Sequence, residues 1–121
     1  MTRITLVLLT GVVVTALVGC GSAGPVAPAA AQAAPDTAVN IQTFQFQPGD
    51  LAVRAGTRVT WTNQDDIEHT VTSGTPERRD GRFDAPLRAK GAKFSQTFGQ
   101  PGTYTYFCDR HQSMRGQIRV N

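Results

Sequence analysis

From Val39 onward the chain is cut at short intervals by turn signals: Pro48-Gly49, Ala55-Gly56, Asn63-Gln64-Asp65-Asp66 and Pro101-Gly102. Between the cuts, apolar and polar residues alternate. Val39 pairs with Ile41, Leu51 with Val53, Val59 with Trp61, and His69 with Val71. Tyr104, Tyr106 and Cys108 share one side, and Ile118 and Val120 close the chain. Successive side chains of a strand point to opposite faces, so each segment offers one face to a core. The pattern predicts an all-β fold: a two-sheet antiparallel Greek-key sandwich of about seven or eight strands. Thr75 to Arg82 reads as an irregular loop, and a short helical turn is left open between Asp84 and Lys90. A length of 121 residues fits one domain.

The amino terminus has a different texture. Arg3 precedes an apolar run from Ile4 to Val18, broken only by Thr and Gly. That run is short for a membrane-spanning helix and suits the hydrophobic part of a signal peptide. Leu17-Val18-Gly19-Cys20 follows, and resembles the lipobox of bacterial lipoproteins, where cleavage precedes an acylated Cys. Residues 1–19 are therefore expected to be a lipoprotein signal peptide and Cys20 the lipidation site. Residues 20–38, rich in Ala and Pro, read as an extended tether. Residues 39–121 are the expected domain. The expected location is outside the cytoplasmic membrane, on the cell's outer face or the periplasmic side.

The formal net charge is +3, but the nearest basic run, Arg78, Arg79 and Arg82, is interrupted by Glu77 and Asp80. A basic face with readout elements is missing, which excludes nucleic acid as a partner.

The segment with the most chemistry is Cys108-Asp109-Arg110-His111-Gln112-Ser113-Met114. It lies between an aromatic strand and the last strand, where ligands from one short loop can converge. Thiolate, imidazole and thioether form a soft-to-borderline donor set. His69, on another strand, supplies a second imidazole. Two His and one Cys with a weak axial Met is the blue-copper arrangement: imidazole suits Cu(II), sulfur suits Cu(I), and a compromise geometry serves both. An inventory of the chain agrees. It holds two His, two Cys and two Met. With Met1 and Cys20 set aside, the remaining four are the proposed metal ligands His69, Cys108, His111 and Met114.

Taken with Val59-Thr60-Trp61-Thr62-Asn63, His69-Thr70-Val71 and Pro101 to Cys108, this loop resembles the cupredoxin family in its plastocyanin, amicyanin and pseudoazurin branch. The two residues between His111 and Met114 resemble amicyanin. The resemblance implies one type 1 copper at one end of the sandwich, with the His111 ring edge reaching the surface. The chain departs from the pattern at Glu68 (usually Pro), Thr70 (usually Asn) and Asp109 (usually Thr or Ser). The backbone N–H of Thr70 is expected to reach the Cys108 sulfur.

The expected function is single-electron shuttling by a monomer that docks transiently, near His111, to a redox donor and an acceptor. Membrane attachment would run through Cys20. A surface copper carrier using the same ligands is the alternative, though the Met-rich or His-rich tracts of such carriers are missing. An enzyme is not expected: four protein ligands leave no open position, and no His remains for a second copper site.

Overall fold

The computed structural model describes Gly24 and residues 35–121. The expected signal peptide, Cys20 and the body of the linker lie outside the described residues. Nine strands are present among them: β1 (Asp36–Gln42), β2 (Gln45–Gln47), β3 (Asp50–Val53), β4 (Thr57–Asn63), β5 (His69–Thr75), β6 (Arg78–Leu87), β7 (Lys93–Phe98), β8 (Gly102–Phe107) and β9 (Arg115–Val120). They form a four-stranded sheet, β2-β1-β4-β7, and a five-stranded sheet, β3-β9-β8-β5-β6.

The two-sheet sandwich is as the alternation predicts, with two differences. First, β1 pairs β4 and β3 pairs β9 in parallel. The chain leaves the first sheet to lay down β3 and returns as β4, so β4 meets β1 running the same way. Such a crossover is what parallel pairing requires. Second, β6 takes up most of the loop expected from Thr75 to Arg82 and runs on to Leu87, into the stretch where the sequence leaves a helical turn open. It is an edge strand burying only Phe83 and Leu87. An edge strand tolerates Pro86 and charged residues, because one side of its ladder has no neighbour.

Trp61 anchors the interior. Its ring lies 5.3 Å from Tyr106, 5.6 Å from Phe94 and 6.0 Å from Phe83, centroid to centroid. Val39, Ile41, Val59, Val71, Leu87 and Ile118 fill the space around this aromatic group, all fully buried. Burying side chains of this size stabilises the fold by roughly 1.5–3 kcal/mol each before entropy is counted. Gly74 sits inside β5, where the register against β6 slips after Thr72. Its φ is +100°, and a Cβ there would stand 2.4 Å from the Arg78 carbonyl oxygen. Only glycine fits that position.

Candidate metal centre

His69 opens β5 at the end of the sandwich and is fully buried. Cys108, also fully buried, directly follows β8. The loop after it folds back on itself through three backbone bonds. The Cys108 N–H donates to the Met114 carbonyl (3.0 Å), the His111 N–H to the Cys108 carbonyl (3.3 Å) and the Met114 N–H to the His111 carbonyl (2.8 Å). Cys108, His111 and Met114 are thereby gathered into one compact turn. The Cys108 Sγ lies 3.8 Å from His69 Nδ1 and 3.6 Å from His111 Nδ1. The three donor atoms fall within 4.8 Å of one another. Met114 is buried against the core (3% exposed), and His111 is part-exposed, as the resemblance implied.

The expected bond from the Thr70 N–H to Cys108 Sγ is present, at 3.3 Å. Such a bond withdraws charge from a thiolate and tunes any metal it binds. Thr70 and Asp109, two of the departures from the family pattern, bond to each other: the Asp109 N–H donates to Thr70 Oγ1 at 2.8 Å. That acceptance leaves the Thr70 hydroxyl proton for Thr72 Oγ1, 3.0 Å away, and Thr72 donates in turn to Asp84 Oδ1 at 2.9 Å. Arg79 then bridges Asp84 and the Asp109 carboxylate. The result is a closed ring of polar contacts joining the ligand loop to β5 and β6.

Asp65 is the functional residue that the sequence reading missed. Its Oδ2 lies 2.9 Å from His69 Nε2, while Oδ1 and Oδ2 accept the N–H groups of Thr43 (2.9 Å) and Phe44 (3.1 Å). Burial pushes the Asp65 carboxyl up. The Phe44 and Thr43 amides and the His69 imidazole outweigh that, leaving it below the usual carboxylate range. A carboxylate facing Nε2 keeps the proton on that nitrogen and leaves the Nδ1 lone pair toward the sulfur. The sequence carried no signal for this, since Asp65 reads as one more polar residue of a loop. The surface charges around the site are paired: Glu68 with Arg110, Asp109 with Arg79, and Arg115 with Glu77.

The donors fit copper. Two imidazole nitrogens, both turned toward one buried sulfur, converge beside a buried thioether. The nearby carboxylate of Asp65 is committed to the far side of His69 and takes no place among them. Sandwich and site together define a single-copper protein of the type 1 class. Residues 33–121 match the family model for copper binding proteins of the plastocyanin/azurin family. The chain is 36% identical over 95 residues to amicyanin-alpha of Methylorubrum extorquens, covering 75% of this chain and 78% of that one. A purple cupredoxin from Nitrosopumilus maritimus superposes with a TM-score of 0.65 at 28% identity, over 71% of this chain and all of that one. A reduced tryptophan-to-tyrosine mutant of amicyanin gives a TM-score of 0.64 at 29% identity, over 76% of this chain and 86% of that one. The chain belongs to the plastocyanin/azurin family of copper-binding proteins.

Proposed function

We propose that this protein is a one-electron carrier that holds copper through His69 Nδ1, Cys108 Sγ, His111 Nδ1 and, weakly, the Met114 thioether. The carrying observation is the convergence of both Nδ1 atoms on the Cys108 sulfur at 3.8 and 3.6 Å. Copper, when bound, supplies a store for one electron by alternating between Cu(I) and Cu(II). The residues do the rest. Cys108 gives the most covalent link, and the Thr70 N–H stabilises charge on its sulfur. Asp65 fixes the tautomer and orientation of His69. The buried setting of His69, Cys108 and Met114 keeps solvent out, so no position is offered to a substrate, as a catalytic site would need.

His111 is the proposed electron port. It is part-exposed and packs beside Phe44. Phe44 is one of two exposed large hydrophobic residues among those described, the other being Ile67. A small apolar surface with paired charges around it suits brief encounters with redox partners rather than tight binding. We further propose that Cys20 carries a lipid, that residues 20–38 tether the domain, and that the monomer works on the outer side of the cytoplasmic membrane. Mass spectrometry of the protein from its host tests the anchor: a diacylglycerol adduct on Cys20 supports it, and an unmodified Cys20 rejects it. Copper-loaded protein should show an intense thiolate-to-copper band toward the red end of the visible spectrum. It should also take and give one electron reversibly at an electrode. A colourless Cu(II) complex would defeat the reading.

A further inference from the structure

We propose that Phe44 is a positioning residue for the two imidazoles, carried on a turn that is strained for that task and fastened by Asp65. The inference rests on the copper reading above, and part of its test is independent of metal.

Thr43 and Phe44 join β1 to β2 as a two-residue hairpin loop, closed by the Gln42–Gln45 pair. Their φ angles are +50° and +58°. Two left-handed central residues make the hairpin turn that favours Asn-Gly. A β-branched Thr and a bulky Phe are poor occupants, because their Cβ groups crowd the backbone in that region. Burial does not explain the choice, since Phe44 is 52% exposed. What explains it is what the ring touches. Phe44 meets the His69 ring at 5.6 Å and the His111 ring at 5.0 Å, edge-on in both cases at 89°. It is a shared wall for both imidazoles, which lie 5.0 Å apart.

One group does the fastening. The Asp65 carboxylate accepts the amides of both strained residues and meets the Nε2 side of His69. Asp65 is itself held by its own N–H donating to Asn63 Oδ1 at 2.9 Å. The turn, the ring it carries and the imidazole that ring packs on are therefore all referenced to Asp65. His69 has that carboxylate to set its ring angle. His111 lies on a surface loop, and the Phe44 ring supplies it with a comparable restraint. Strained backbone persists where the surroundings over-determine it, and it gathers at functional sites.

The test is a pair of variants, T43N/F44G and F44L. The first puts the favoured residues into the turn and deletes the wall. Its metal-free form should melt at a higher temperature than the parent, while the His111 ring signals in NMR broaden or double. Copper loaded into it should leave for a chelator roughly tenfold faster, the scale expected when a positioning contact outside the reacting atoms is lost. F44L keeps an apolar wall and should restore sharp His111 signals and most of the retention. A parent-like NMR signature and release rate in T43N/F44G would overturn the positioning role. A melting temperature that fails to rise would overturn the strain. If the parent shows no thiolate-to-copper band, the copper reading fails, and the metal-free melting and NMR measurements still decide for or against Phe44.

Discussion

The Cys108–Met114 loop and the His69 strand support their ligands in opposite ways. The loop organises itself: three backbone bonds among Cys108, His111 and Met114 bring its donors together. His69 is organised by others. Asp65 holds its far nitrogen, Phe44 walls its ring, and Asn63 holds Asp65. One half of the site is therefore a local motif and the other is a product of the fold. A substitution in the loop should act on the chemistry first. A substitution around His69 should act on stability and geometry together.

The largest effect expected is from Cys108→Ser. Serine is near in size but offers copper no thiolate, so the thiolate-to-copper band should vanish completely while the β-sandwich persists. Visible absorption and a thermal melt on the same sample check this. A variant that loses its fold along with its colour would show that the loop is not self-contained, and the contrast would break at its first half.

Next comes Asn63→Ala, outside the ligand set. Asn63 is fully buried. Its Nδ2 donates to the carbonyls of Ile67 (2.7 Å) and Leu87 (3.0 Å), and its Oδ1 accepts the Asp65 N–H. Removing it leaves buried groups without partners, at about 2–3 kcal/mol in denaturant unfolding. The copper band should survive but shift, because Asp65 and hence His69 lose their reference. An unshifted band would show that His69 needs no outside support.

The same contrast explains what could be read from the sequence. The Cys-x-x-His-x-x-Met loop is legible because its ligands are neighbours in sequence and its backbone closes locally. The strands of Val59 and Trp61, and of Tyr104 and Tyr106, are legible because one buried face imposes a period of two. β6 is not, since an exposed edge strand such as Arg78–Leu87 lacks that alternation along most of its length. The parallel pairings are not legible either, because they depend on where the chain crosses between sheets. Asp65 and Phe44 are hidden for a related reason. A carboxylate in a polar loop and an aromatic close to Phe46 look ordinary until the hairpin turn brings them together.

The stem of the loop offers a third probe. Tyr106 on β8 faces Gly116 on β9. A Cβ on Gly116 would lie 2.4 Å from the Tyr106 ring. Gly116→Ala should cost about 1–3 kcal/mol by overpacking, and should disturb the loop only through its base. Tyr106 also sets an alkaline limit. Burial pushes its hydroxyl from an ordinary 10.0 up to about 12, with Trp61 pulling the other way. A raised folded-state value means stability is intact below about pH 10 and is lost as pH climbs toward 12, because the unfolded chain releases the proton first. Chemical denaturation across that range should show the fall, and Tyr106→Phe should remove it.

The smallest effect belongs to the polar ring that ties the loop to β5 and β6. Its outer members are half open to solvent: side-chain exposure is 50% for Arg79, 58% for Asp84 and 40% for Asp109. Exposed ion pairs contribute little and are screened by salt. Arg79→Ala should therefore cost less than about 1 kcal/mol, with the difference from the parent shrinking as salt is added. The inner member differs. Thr70 is buried and accepts the Asp109 N–H, so Thr70→Val leaves that amide unpaired beside the sulfur. It should cost about 1–3 kcal/mol, insensitive to salt, and should shift the reduction potential where Arg79→Ala leaves it nearly unchanged. If Arg79→Ala proved the costlier of the two, the loop would depend on its outer braces. Self-organisation would then no longer distinguish it from the strand that carries His69.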